Sequence, residues 1–215
     1  MIKAVLFDLD GVLIDSEHLS QKIYEDFIQE TGYPIPLERF YLLIGSHKMW
    51  DPFSKVIEGI DIGKSAKEFE EEIVNYRKKR IDDYDISTLA FKDAKETLEA
   101  IKRFGIKIAV ASSSSIDYVR RMLVGNKIDM YFDVTTTCDD FERPKPEPDI
   151  YLYCQKTLHV DPDECLIIED SPFGIEAAKR AKIKVVAKRD HTFGFDQSRA
   201  DFFIDDLSEI LEHLR

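Results

Sequence analysis

Asp8 and Asp10 stand two residues apart, directly after the apolar run Ala4 to Phe7 and directly before Gly11. Carboxylates brought that close as the chain leaves an apolar layer lose hydration and repel one another, a cost that a bound cation relieves. Hard oxygen donors of this kind suit Mg²⁺. Three further groups recur along the chain: Ser112 opens a run of four serines, Lys145 precedes Pro146, and Glu169-Asp170-Ser171 follows an apolar run. A serine hydroxyl with neighbouring backbone N–H groups, and a lysine, suit phosphoryl oxygens. With a metal offsetting the repulsion between anions, one remaining carboxylate can attack phosphorus.

The elements that must position these residues can be read from the pattern. Ala4 to Phe7 reads as a strand buried on both faces of a parallel sheet. From Ser16 to about Asp85 the chain is charged and helical in spacing. Leu19, Ile23, Tyr24, Phe27 and Ile28 share one face, and Gly32 offers a stop. Ser65-Ala-Lys-Glu68 reads as a capping box for a helix reaching about Tyr84, and Asp51-Pro52 as an N-cap followed by proline. After Asp85 helices and strands alternate: helix over 93–104, strand 106–111, helix 116–125, strand 133–137, helix 148–158, strand 166–168, helix 172–181, and strands 185–187 and 202–204. Such alternation predicts an α/β fold, a doubly wound parallel sheet, whose ligands bind beyond the carboxyl ends of the strands. Every cluster named above follows a strand at that end.

Composition narrows the classes. The net charge of −12 opposes general nucleic-acid binding, so an anionic substrate must be drawn in locally. No stretch approaches the roughly 18 apolar residues of a membrane span. The first apolar run is short and ends in acids, unlike a secretory signal. Cys138, Cys154 and Cys165 are odd in number and lack metal-ligand spacing, which suits reduced thiols in a cytoplasmic protein. No internal repeat or low-complexity linker interrupts the chain, and a monomer is expected.

Four motifs in order resemble the haloacid dehalogenase superfamily: Asp8-Leu-Asp-Gly-Val-Leu-Ile-Asp-Ser16, Val110-Ala-Ser112, Lys145-Pro-Glu-Pro-Asp-Ile-Tyr151 and Ile168-Glu-Asp-Ser-Pro-Phe-Gly174. The resemblance covers nearly the whole chain. It is to the branch with an inserted helical cap that includes β-phosphoglucomutase and small sugar-phosphate phosphatases. It implies a catalytic core over 1–14 and 87–215 and a helical cap over 15–86, flexing near Asp15 and Ser87. Asp8 is implied as nucleophile, passing through an aspartyl-phosphate, and Asp10 as general acid and then base. The implied Mg²⁺ ligands are the Asp8 carboxylate, the Asp10 backbone carbonyl and Asp170, with Glu169 in support. Ser112, with Ser113 beside it, and Lys145 are implied to hold the substrate phosphate. Substrate choice would fall to Ser20, Gly45, Ser46, His47 and Lys48 in the cap.

Departures from the mutase pattern bear on the reaction. β-Phosphoglucomutases carry a histidine ten residues beyond the second aspartate, where this chain has Ser20. His18 lies about 200° away around a helix and is a poor substitute. Lys48 stands where the mutases have arginine and lacks the bidentate fork, and Lys92-Asp93 replaces a Pro-Gly. The expectation is therefore a Mg²⁺-dependent phosphomonoester hydrolase acting on a small phosphorylated metabolite, with a sugar phosphate favoured. A sugar phosphomutase of the same fold is the alternative, and a non-catalytic sugar-phosphate sensor a third. The run Arg77 to Arg80 reads as a solvated helix face or a contact for a second substrate anion.

Overall fold

The structure, a computed structural model, describes residues 1–44 and 52–214. The chain forms two compact units, Met1–Asp15 with Ile86–Arg215, and Ser16–Asp85. The first strand, β1 (Ala4–Phe7), is buried along its length, as an unbroken apolar run in a parallel sheet requires. The chain then turns at Gly11, whose φ of +73° suits glycine, and the Gly11 N–H donates to Ile14 O at 2.8 Å. The two crossings between units pair with each other: Asp15 N–H donates to Leu89 O at 2.7 Å and Phe91 N–H to Leu13 O at 3.0 Å.

The Ser16–Asp85 unit is helical among its described residues. Helix α1 (Ser16–Thr31) buries Leu19, Ile23, Tyr24 and Phe27 and ends at Gly32, φ +68°. Short helices α2 (Leu37–Phe40) and α3 (Pro52–Val56) follow. α2 escapes the periodicity argument because four residues are barely one turn. The capping box at Ser65 opens α4 (Ala66–Arg80), with Ser65 accepting from Glu68 N–H and the Glu68 carboxylate accepting in return. α4 stops four residues short of the expected Tyr84, tightening into a 3₁₀ turn at Ile81–Asp83. Phe27 anchors the unit, meeting Phe40, Phe69 and Tyr76 edge-on with ring centroids 5.1–6.2 Å apart.

In the other unit, α5 (Ala94–Arg103), β2 (Lys107–Ser112), α6 (Ile116–Gly125), β3 (Val134–Thr137), α7 (Asp149–Thr157), β4 (Cys165–Glu169), α8 (Pro172–Ala181), β5 (Lys184–Lys188) and β6 (Phe202–Ile204) follow in the expected alternation. A seven-residue 3₁₀ helix, Leu207–His213, follows; the expected elements end at Ile204, although Leu207, Ile210, Leu211 and Leu214 fall at helical spacing. The six strands are all parallel, in the order β3-β2-β1-β4-β5-β6. Ala4, Leu6, Ala109, Ile167 and Val185 pack with Ile150, Tyr151 and Cys154 of α7 and Ile175 and Ala178 of α8. The alternate set Val5, Phe7, Ile108, Val110 and Ile168 points to the opposite face and is also fully buried.

One device is used twice. Asp133 accepts from Ile108 N–H at 2.8 Å and from Lys102 of α5 at 2.9 Å. Asp201 accepts from Val185 N–H at 2.9 Å and from Lys179 of α8 at 2.6 Å. Each aspartate precedes an edge strand, β3 or β6, and ties its start both to the neighbouring strand and to the end of a helix. No described helix is long and apolar enough to cross a membrane.

Candidate active site

In this strand order the direction of winding reverses between β1 and β4, the switch point at which open α/β sheets bind ligands. Register brings the carboxyl ends together there, with Phe7 opposite both Val110 and Ile168. Asp8 therefore leaves the sheet beside Ala111 and Glu169, its N–H donating to Ile168 O at 2.9 Å.

Lys145, only 2% exposed, reaches this point from the loop before α7. Its ammonium donates to Asp8 Oδ1 at 2.5 Å, Glu169 Oε1 at 2.6 Å and Ala111 O at 2.9 Å. It also lies 4.8 Å from the centre of the Tyr151 ring. Burial lowers its proton affinity, but Asp8 and Glu169 outweigh that and hold it above the ordinary lysine value. Glu169 has no solvent exposure. One of its oxygens accepts from Lys145 and from the Tyr151 hydroxyl at 2.5 Å, the other from Asp170 N–H, Ser171 N–H and Ser171 Oγ at 3.1–3.3 Å. Ser171 also caps α8, accepting from Gly174 N–H at 3.1 Å, so a positive helix end faces the acidic pair.

Burial pushes the Asp8 carboxyl well above the ordinary carboxylate range; Lys145 opposes this, while Glu169, Asp170 and Asp10 add to it. Of these four acids the buried ammonium contacts two, Asp8 and Glu169. Asp8, Glu169 and Asp170 each place a carboxylate oxygen within 4.8 Å of the others. The donor set is all oxygen, anionic and buried, and so fits Mg²⁺. Asp170 is held by its backbone as well: Gln197 Nε2 donates to Asp170 O and to Lys188 O, both at 2.7 Å.

Asp10 is held differently. Ser114 Oγ donates to its Oδ2 at 2.8 Å and Tyr118 Oη to its Oδ1 at 3.1 Å. Ser112 is buried, and its Oγ accepts from Ser114 N–H at 3.0 Å. Ser113 lies half-buried beside it. Ser115 occupies the N-cap position of α6 without a side-chain cap; Asp139 Oδ2 instead takes the Ile116 N–H at 2.9 Å.

Asp8, Lys145, Glu169 and Asp170 thus form one hydrogen-bonded and charged cluster, with Asp10 and Ser112 joined to each other through Ser114. Ser20 lies in the helical unit, where Arg77 Nη2 donates to it at 3.2 Å and Arg77 Nη1 donates to Tyr24 Oη at 2.8 Å. Arg80 pairs with Glu30 and Asp83, while Lys78 and Lys79 are exposed. Gly45, Ser46, His47 and Lys48 lie outside the described residues. Ser114, Tyr118 and Gln197 escaped the motif reading, as did a role for Tyr151. For the first two a signal existed: hydroxyls one helical turn apart around the start of an expected helix.

The chain belongs to the haloacid dehalogenase-like hydrolase family, whose model matches residues 5–188. It is 34% identical to YhcW of Bacillus subtilis over 220 residues, covering 100% of this chain and 98% of that protein. It is 32% identical over 189 residues to a phosphorylated carbohydrates phosphatase of Thermotoga maritima, covering 85% and 83% of the two chains. Among solved structures, β-phosphoglucomutase from Clostridium difficile is similar across 100% of this chain and 96% of its own, with a TM-score of 0.74 and 25% identity.

Proposed function

We propose that this protein is a Mg²⁺-dependent phosphomonoester hydrolase acting on a small phosphorylated metabolite, with a sugar phosphate the favoured class. The observation that carries the reading is the unequal treatment of the two aspartates. Asp8 accepts from a buried ammonium among further carboxylates, whereas each oxygen of Asp10 accepts from a hydroxyl, that of Ser114 or of Tyr118. The first arrangement suits a nucleophile that meets an anion; the second suits a group that gives and takes protons. The phosphatase name of the Thermotoga relative supports the same class.

Asp8, Asp170 and the Asp10 carbonyl would hold the metal, with Glu169 in support. When bound, the metal offsets the charge of the phosphoryl group and of its attacker. In the first step an Asp8 carboxylate oxygen bonds to phosphorus as the bond to the leaving oxygen breaks, and Asp10 gives that oxygen a proton. An aspartyl-phosphate remains on Asp8. In the second step Asp10 takes a proton from water as the water oxygen attacks phosphorus, and the Asp8–phosphorus bond breaks. Lys145 stabilises negative charge through both steps, and Ser112 with Ser113 orients the phosphoryl oxygens. On the resemblance alone, Ser16–Asp85 acts as the cap and Ser20, Gly45, Ser46, His47 and Lys48 select the substrate.

A mutase reading has the likeness to β-phosphoglucomutase in its favour. Against it, the position of the mutase histidine holds Ser20, whose hydroxyl is engaged by Arg77 and cannot exchange a proton near neutral pH as imidazole does. The deciding experiment measures phosphate release from sugar phosphates, nucleotides and aryl phosphates with Mg²⁺, with Asp8→Asn as the blank. Release that Asp8→Asn abolishes is expected. Conversion of β-glucose 1-phosphate to glucose 6-phosphate without free phosphate would establish the mutase instead, and full activity in Asp8→Asn would overturn both.

A further inference from the structure

We propose that Tyr118 is a positioning residue for Asp10: its phenol, together with the Ser114 hydroxyl, fixes the plane of the Asp10 carboxyl so that its proton is aimed at the leaving oxygen. This rests on the hydrolase reading and deepens it.

The two hydroxyls contact different oxygens, Tyr118 on Oδ1 at 3.1 Å and Ser114 on Oδ2 at 2.8 Å. A single contact would leave the carboxyl free to rotate about its last torsion, which is broad and shallow. Two contacts on opposite oxygens remove that freedom. The mount beneath them is itself fixed. Ser114 N–H is bound to the buried Ser112 Oγ at 3.0 Å, and Ser114 O lies 3.7 Å from Cys138 Sγ. Ile116 N–H is held by Asp139 at 2.9 Å, and Val119 N–H closes the first turn onto Ser115 O at 3.0 Å. Tyr118 therefore projects from a helix start pinned on both sides, and Asp10 meets a rigid pair of donors.

The chemistry of the partners fits the task. A protonated carboxyl keeps acceptor lone pairs on both oxygens, so Ser114 and Tyr118 can go on donating to Asp10 whether or not it carries the proton, which stays free to point at the leaving oxygen. In the first step the proton moves from Asp10 to the leaving oxygen as the Asp8–phosphorus bond forms and the old ester bond breaks. Misaiming that proton matters in proportion to how poorly the leaving group departs unaided.

Tyr118→Phe separates this role from a structural one. The readout is kcat/KM, which reports through transfer to Asp8, for dinitrophenyl phosphate and for a sugar phosphate that the parent turns over. The dinitrophenolate leaves without a proton, whereas the sugar alkoxide needs one. The expected result is a loss of about tenfold or more on the sugar phosphate, part of the roughly 10²–10⁴-fold that a positioned acid supplies, with little change on the aryl ester. Equal losses on both, or none on either, would overturn the proposal while leaving the hydrolase reading intact. Failure of the parent to release phosphate from either ester would overturn both. Should the thermal melt show that Tyr118→Phe does not fold, Ser114→Ala is judged by the same ratio.

Discussion

A Cβ atom on Gly174 would lie 1.7 Å from Oε1 of Glu169. The glycine in the first turn of α8 is thus the floor on which the Glu169 carboxylate rests, and through Glu169 it sets the place of Lys145. Gly174→Ala must displace that carboxylate, which has no solvent to move into. A destabilisation of about 1–3 kcal/mol is expected from the overpacking, together with a loss of phosphatase activity. Thermal melting and phosphate release check both; an unaltered variant would mean that Glu169 has a second place to sit.

Lys145→Ala leaves Asp8 and Glu169 buried without their cation. Breaking a buried pair in this way costs about 3–5 kcal/mol, and losing one stabiliser of developing charge slows turnover about a hundredfold or more. Urea unfolding and kcat measure the two effects. An unchanged rate would remove Lys145 from the chemistry.

Asp8, Glu169 and Asp170 predict a metal-dependent melting temperature. Mg²⁺ at about a hundred times its Kd should stabilise the parent by roughly 2.7 kcal/mol, and Asp170→Asn should abolish most of that shift. Chelation should stop phosphate release, with Mg²⁺ restoring it. A full Mg²⁺ shift in Asp170→Asn would place the ion elsewhere.

The twin aspartates predict an acid-dependent component of stability. Burial pulls Asp201 upward, but Lys179 and the Val185 N–H outweigh it and hold the carboxyl below its ordinary value; Lys102 and the Ile108 N–H do the same for Asp133. The unfolded chain then binds more protons in acid than the folded one. The contribution is therefore full above the unfolded pKa of about 3.9 and is lost as pH falls through the lower, folded value. Asp201→Ala should lose about 1–2 kcal/mol at neutral pH, a deficit that shrinks below about pH 4. Urea unfolding at pH 7 and pH 3 tests it; the same deficit at both would remove charge from the explanation.

What could be read in the sequence was what leaves a periodic or covalent trace. Apolar runs such as Ala4 to Phe7 and Leu166 to Ile168 announced the strands, and Ser65 and Ser171 announced the helices they cap. The grouping of Asp8, Lys145, Glu169 and Asp170 was legible because each follows a strand or sits in a proline-marked loop. Contacts made by single side chains across the sheet were not. The spacing of Ser114 and Tyr118 marks two hydroxyls at a helix start, but it does not name Asp10, 108 positions from Tyr118, as their partner. Likewise, Gln197 looks like any loop glutamine until its carboxamide is seen on the Asp170 carbonyl.

Asp8 and Lys145 are 137 positions apart in the chain, which has a consequence for biosynthesis. A ribosome makes the acid long before it makes the base, and Glu169 and Asp170 come later still. During that interval no arrangement of the nascent polypeptide can bury Asp8 with its counterion, so the apolar strand leading to it has reason to stay unpaired until most of the α/β unit has emerged.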